Sequence, residues 1–284
     1  MYHSGELAVQ RRMGQEAIAA RVGRMIRTEV PAAAAAFLAE QPMIVIAAAD
    51  DAGRVWTSLI AGPPGFVHAD DPRTITVDAL PAPGDPLRDI LRGGQQVGMI
   101  AIEPRTRRRM RVNGSAEPVG KGLLEGLRIE TDQVYSNCPK YISRRDIADL
   151  RIGMELPDVH RGESLSDRQQ QLISTVDTFF IGSADPAGSA DASHRGGNPG
   201  FLQVISPRLL RWPDYRGNSM FMTLGNVSVN PRCGLLVVDW SSGSTIQLTG
   251  TAEINWDEAD PTAGAQCAID FTISEVVELT AEYN

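Results

Sequence analysis

The sequence predicts a mainly β protein with flanking helices, built as two tandem copies of one small barrel that form a pseudo-dimer within a single chain. Three observations carry that expectation. The length, 284 residues, corresponds to two units at about 150 residues per domain. Hydrophobic residues make up 42% and charged residues 22%, ordinary globular usage that argues against intrinsic disorder or a fibrous chain. Above all, the two halves repeat one another. Asp50 pairs with Asp185, Gly53 with Gly188, Ser58 with Ser193, Gly65-Phe66 with Gly200-Phe201 and Pro72-Arg73 with Pro207-Arg208, always 135 residues apart. Gly98 with Gly234 and Gly114 with Gly250 continue the series at 136, while Gly84 with Gly217 dips to 133, as a changed loop length would make it. One separation held across glycines, a serine and a Pro-Arg pair is the signature of internal duplication.

Each element follows in order. Residues 1–30 form a helical extension. Pro31 suits the first turn of an alanine-rich helix reaching Glu40. Strands are expected at Met43–Ala48 and Val55–Leu59 across an Asp-Asp-Ala-Gly turn, then at Thr74–Val77, Val97–Ile102 and Arg109–Val112. The first barrel is thus placed at 31–117. Residues 118–165 are read as a connector, too rich in Tyr, Asn, Cys and Pro to be a Gly/Ser tether and expected to pack on both barrels. The second barrel and tail, 166–284, open with Ser166 and Gln169 at capping-box spacing. Strands follow at Thr178–Ser183, Ala190–His194, Gly234–Asp239 and Thr245–Thr249. Residues 257–284 lie beyond the recognised repeat, and their acidic-apolar pattern fits either a strand or a helix. One helix followed by short antiparallel strands suits a small barrel, since closure removes exposed edges.

Composition also excludes. The net charge of −8 and pI near 5.1 disfavour a broad nucleic-acid surface. The longest apolar run, Met43–Ala49, is far short of the roughly 20 residues of a membrane helix, and residues 1–30 do not read as a secretory signal. Three dispersed cysteines, Cys138, Cys233 and Cys267, give neither a disulfide framework nor CxxC spacing, so a reducing cytoplasm is expected. The four histidines lack metal-pair spacing, and no metal site is expected. No Rossmann, Walker or nucleophile-elbow motif occurs.

The two copies differ chemically. Where the first has Leu59-Ile60-Ala61-Gly62-Pro63, the second has His194-Arg195-Gly196-Gly197-Asn198. Glycines beside Arg and Asn let backbone N–H groups approach an anion, and the Arg fork suits phosphate. Asn218, Ser219, Thr223 and Asn226 add donors in the stretches Tyr215–Met220 and Thr223–Asn226, where the first copy offers Ala82-Pro83-Gly84-Asp85-Pro86-Leu87. The plainer reading of Ser193–Gly197 is a turn with a surface Arg and a satisfied His; the contrast between copies favours a site.

These residues resemble the pyridoxamine 5'-phosphate oxidase-like family, whose fold is the flavin-binding split barrel. The likeness rests on Phe179–Phe201, the Gly-Asn-Ser stretch, and Asn230-Pro231-Arg232-Cys233-Gly234-Leu235-Leu236. Arg107–Gly114 and the Asn-Cys-Pro-Lys-Tyr-Ile segment, 137–142, resemble a larger tandem-barrel branch. The resemblance spans about residues 30–256. It implies two split barrels with FMN at their interface and the phosphate held by Ser193 and Arg195 on the first strand and Asn218, Ser219 and Thr223 at the following strand and turn, with His194, opposite to Arg195 by alternation, facing the ring or the phosphate arm; Gly196, Gly197 and Asn226 complete the candidate cofactor-binding set. The basic Ser-Arg-Lys type of motif of the vitamin-processing oxidases is replaced by Gly217-Asn218-Ser219-Met220, which argues against pyridoxamine phosphate as substrate and leaves FAD or a deazaflavin as alternatives to FMN.

Two functions are expected from this resemblance. The first is a flavin-dependent oxidoreductase acting on a small molecule, with NAD(P)H or a partner reductase as reductant; His194, Tyr135 and Lys140 would position substrate or relay a proton. The second is a non-catalytic flavin-nucleotide or haem-handling protein, with His194 as the first haem-ligand candidate. A structural subunit with a degenerate site is a weaker third. A homodimer is a further expectation, with no nucleic-acid or membrane partner. The basic run Arg105, Arg107, Arg108, Arg109 and Arg111 reads either as a solvated hairpin or, because alternation puts Arg107, Arg109 and Arg111 on one face, as a phosphate or adenylate contact. Cys138 reads as a packing residue or a thiol activated by Lys140. Tyr135, Asn137, Lys140 and Tyr141 are candidates for a lid.

Overall fold

The computed structural model describes residues 2–120, 125–136, 139–147, 157–258 and 264–280; Asn137 and Cys138 lie outside them. The chain opens with α1 (Ser4–Arg12), α2 (Glu16–Gly23) and α3 (Ala32–Ala39). The first sheet comprises β1 (Met43–Ala49), β2 (Val55–Ala61), β3 (Val67–Asp71), β4 (Thr74–Val77), β5 (Gln95–Glu103), β6 (Arg108–Val119) and β7 (Gly126–Ser136), with α4 (Pro86–Leu91) between β4 and β5. After β8 (Asp158–Gly162) and α5 (Asp167–Ile173), the second sheet comprises β9 (Thr178–Ala184), β10 (Ala190–Gly196), β11 (Gln203–Ser206), β12 (Leu209–Tyr215), β13 (Arg232–Val238), β14 (Thr245–Asn255) and β15 (Ala265–Thr280), with α6 (Met222–Val229) between β12 and β13, and β8 joins this sheet as an eighth strand by pairing with β15.

The duplication is complete at the level of topology. The orders β2-β1-β5-β6-β7-β4-β3 and β10-β9-β13-β14-β15-β12-β11 are the same path, every pairing antiparallel. Even a bulge recurs, between Asn113 and Gly114 in β6 and between Thr249 and Gly250 in β14. The fold class is as expected: mainly β, two tandem split barrels with flanking helices.

Two boundaries move. The segment 118–165, expected to be a connector, contains β7, which pairs with both β6 and β4, so the first sheet runs to Ser136. The stretch 257–284, left between strand and helix, contains β15, the counterpart of β7 and the longest strand described. The repeat signal fades there because these strands share no glycine landmarks, and their separation grows to 142: Asn113 opposes Gln133 as Thr249 opposes Glu275. The helical reading of the tail fails because Ile269, Phe271 and Ile273 alternate into the core at period two.

Alternation also explains why the central strands are apolar on both faces. In β1, Ile44, Ile46 and Ala48 enter the first barrel's core, while Met43, Val45 and Ala47 point the other way. In β9, Phe179 and Ile181 enter the second core and Phe180 faces outward. The outward sets, with Ile100, Ile102, Leu236 and Val238, form a third core between the barrels. Each large side chain fully buried there contributes roughly 1.5–3 kcal/mol. The backbones meet at two repeat-related points. A Cβ on Gly98 would strike the backbone of Asp191, and one on Gly234 would strike the backbone of Val55 and Trp56. Only glycine permits that approach. Thr57 Oγ1 donates to the Gly234 carbonyl across the same seam at 2.9 Å.

Candidate functional site

A cleft between the barrels collects most of the candidate residues. It is lined by Ser193, His194, Arg195 and Gly196 of β10, by Asn218, Ser219 and Thr223 around the start of α6, by Lys140 and Tyr141, and by Arg109 and Arg111 from the first barrel. The enclosed cavity is small, about 100 Å³, and opens to solvent at its mouth. Its charged lining is four cations, Arg109, Arg111, Lys140 and Arg195, against one carboxylate, Asp214. A chain of net charge −8 thus concentrates positive charge here.

Asn218, Ser219 and Thr223 do not lie on a strand and turn, as expected, but on the loop entering α6 and on its first turn. Ser219 and Phe221 adopt left-handed backbone conformations, φ 66° and 59°. Phe221 is the N-cap, and no side chain caps the helix. Such strain in non-glycine residues concentrates at functional sites, and uncapped first-turn N–H groups favour anions. The sequence offered no cap residue to announce this helix.

Arg195 donates from Nη1 to Ser193 Oγ at 3.0 Å, and its Nε lies 3.1 Å from Asp214 Oδ1. Burial raises the Asp214 pKa, and Arg195 opposes that shift. On the other side of the strand, His194 packs edge-on against Phe180 and accepts at Nδ1 from Arg109 Nη1 at 3.0 Å. Burial, then the guanidinium charges of Arg109, Arg195 and Arg145, hold His194 well below its ordinary pKa. It is neutral at physiological pH, so the expected proton relay through a titrating imidazole does not fit its surroundings.

The arginine run divides. Arg105, Arg107 and Arg108 are exposed near the β5–β6 turn, with Arg108 bound to Glu103 and Glu40. Arg109 and Arg111 point into the cleft. Arg107 departs from the expected shared face because the turn gives it φ 59° and ends the alternation. Arg111 is 4% exposed and ion-paired with equally buried Asp191 of the other barrel, its guanidinium over the Tyr135 ring. In the sequence Asp191 is marked only as a carboxylate in a strand where the repeat has Trp56.

Three predicted residues lie elsewhere. Tyr135 stands behind the cleft wall, 3% exposed, donating to Asp191 Oδ1 at 3.1 Å and touching Met222 Sδ. Asn226 faces a second cavity, with its amide donating to Ser183 Oγ at 3.0 Å and its Oδ1 2.8 Å from His3 Nε2. Gly197 is a turn residue whose missing side chain makes room for the Phe201 ring, as Gly62 does for Phe66. Gly196 serves a covering segment rather than an anion: a Cβ there would strike the Tyr141 carbonyl. Tyr141 stacks on Tyr215 with ring centroids 5.2 Å apart, so the lid expectation fits Lys140 and Tyr141 but not Tyr135. The N-terminal extension braces the loop from behind. Gln10 donates to the Met220 carbonyl at 3.0 Å, and Ser219 Oγ donates to Gln15 at 2.5 Å, which commits that hydroxyl.

Among the described residues no cluster suited to a metal ion is found, and no helix is long and apolar enough to cross a membrane. No curated protein matches the sequence. Solved structures that match include HupZ of Group A Streptococcus (14% identity, 42% of this chain and 98% of that one, TM-score 0.35). An FAD-binding protein from Mesorhizobium loti matches at 11% identity over 43% and 98%, TM-score 0.30. An FMN-binding protein from Syntrophomonas wolfei matches at 11% over 40% and 85%, TM-score 0.29. Residues 165–275 match the family model for pyridoxamine 5'-phosphate oxidase. The resemblance read from the sequence therefore holds over residues 165–275, the span that matches that family's model.

Proposed function

We propose that the chain is a flavin-dependent oxidoreductase that holds FMN, or a related flavin, in the cleft between its barrels. The observation that carries this reading is the convergence of Arg109, Arg111, Arg195 and Lys140 with the uncapped start of α6 on one cleft in an acidic protein. That donor set fits a phosphate-bearing ligand. Ser193, Arg195 and the N–H groups around Thr223 would hold the phosphate. Neutral His194 would offer its Nε2 proton as a fixed donor, and Lys140 and Tyr141 would cover the mouth and shut out water. A bound flavin supplies the electron or hydride chemistry, so no nucleophile is required of the protein. The substrate would be a small molecule entering beside the Lys140 segment, and the reductant would be NAD(P)H or a partner reductase.

Both walls of the cleft come from one chain, so a homodimer is not needed to complete it. Buried, unpaired Cys233 and Cys267 agree with a reducing cytoplasm.

The test is the absorption spectrum of purified protein before and after adding FMN. Oxidised-flavin bands are expected; a Soret band instead, or no flavin binding at any practical concentration, would overturn the reading in favour of a haem-handling or purely structural role. Arg195→Ala should weaken flavin binding roughly 10–100-fold, the equivalent of about 1.5–3 kcal/mol for a charged contact, whereas Arg73→Ala, at the exposed repeat-related turn, should not. Equal effects would refute an asymmetric site.

A further inference from the structure

The first barrel contains a buried carboxylate at the place repeat-related to the cleft. Asp85 is 6% exposed. Its Oδ1 accepts from Ser58 Oγ at 2.6 Å and from the Leu87 N–H at 2.8 Å, and its Oδ2 accepts from Gln247 Nε2 at 2.9 Å. Gln247 reaches across from the second barrel and is fully buried; with its amide turned to Asp85 and Ser58, its Oε1 has no hydrogen-bond partner.

Strand registers fix the correspondence. Ser58 opposes Ile46 as Ser193 opposes Ile181. Gln247 opposes Leu236 as Arg111 opposes Ile100. The helices begin at Pro86 and Met222, so Leu87 corresponds to Thr223, and Asp85 corresponds to Phe221 rather than to Asn218, which the Gly84–Gly217 match had suggested. Each group that holds the Asp85 carboxylate thus has a counterpart lining the cleft: Ser193 for Ser58, Arg111 for Gln247, Thr223 for Leu87. The carboxylate itself has none, because the N-cap there is Phe221.

We infer that Asp85 is an internal anion seated where the first barrel's half of the duplication once took a ligand, so that the chain keeps one ligand site open and one closed by its own side chain. The cluster of Ser58, Gln247 and the Leu87 N–H is an anion receptor already filled. Its neutral Gln247, in place of Arg111, matches a resident carboxylate that never has to be captured from solution. The inference concerns the first barrel and does not depend on which cofactor the cleft binds. A groove lined by Trp56, Gly84, Asp85 and Arg161 leads from solvent to the cluster.

Removing the carboxylate should create a hole that a free small carboxylate can fill. Asp85→Gly, wild type and Asp85→Asn are melted in rising sodium formate, with sodium chloride at equal ionic strength as reference. The expected result is a formate-specific rise in melting temperature for Asp85→Gly that exceeds any rise in wild type. Asp85→Asn keeps the volume filled and should gain no more than wild type. If Asp85→Gly folds and gains no more than wild type, the receptor reading is overturned. If Asp85→Gly does not fold in chloride, its refolding yield is titrated with formate: recovery supports the inference, and failure to recover while Asp85→Asn folds overturns it. Because wild type carries the open cleft throughout, loss of flavin binding there would leave this comparison intact.

Discussion

The Arg111–Asp191 pair gives the sharpest energetic prediction. It joins β6 of one barrel to β10 of the other, both residues are 4% exposed, and Tyr135 donates to the same carboxylate. Replacing one partner leaves the other charge buried without compensation, which costs about 3–5 kcal/mol. At about 2 °C per kcal/mol for a chain of this size, Arg111→Met or Asp191→Leu should lower the melting temperature by roughly 6–10 °C. Removing both charges leaves the Tyr135 hydroxyl and the Asn113 amide without their shared acceptor, a penalty of about 1–3 kcal/mol. The double variant should therefore be no less stable than the worse single one. Guanidinium unfolding followed by tryptophan fluorescence, with thermal melts alongside, measures all three. A loss below about 1 kcal/mol for Arg111→Met would mean that the pair behaves as a solvated surface bridge. Additive single losses in the double variant would equally refute the reasoning.

Two further predictions rest on other contacts. Gly98→Ala and Gly234→Ala should each destabilise by more than about 2 kcal/mol, because the added Cβ meets backbone of the opposite barrel, whereas Gly217→Ala, with nothing near its Cβ, should change thermal stability little; equal effects would refute the close approach. Burial pushes the Glu6 carboxyl up to about 7, so the folded state holds a proton that the unfolded chain loses near pH 4.5. Its contribution is present below the unfolded value and lost as pH rises through about 7, so Glu6→Gln should flatten the fall in melting temperature across that window, and parallel profiles would sink the assignment.

The sequence carried the duplication and the asymmetric strand well, because both are written in residue identity at a nearly fixed separation. Ser193, His194, Arg195 and Gly196 all reach the cleft. What it concealed depends on backbone geometry or on partners far along the chain. The left-handed entry at Ser219 and Phe221 uses no glycine, so nothing marked the start of α6. Strands β7 and β15 share no landmark residues, although both pair on either side. The role of Asp191 depends on Arg111, eighty residues earlier in the chain, which no local pattern connects to it. The packing role of Gly197 is legible in the sequence: the repeat has Gly62 and Phe66 at the same places, and a feature common to both copies cannot be what distinguishes them.

The two barrels share one polypeptide, and that changes how the cleft responds to dilution. A site assembled from separate subunits obeys mass action and empties as concentration falls below the dissociation constant. Here the second wall is tethered at a fixed effective concentration, so the cleft persists at any copy number of the protein. The tether also frees each half to mutate alone, since a change in one barrel is no longer imposed on both faces of a symmetric pair. One half could then lose its ligand to a side chain while the other kept an open mouth.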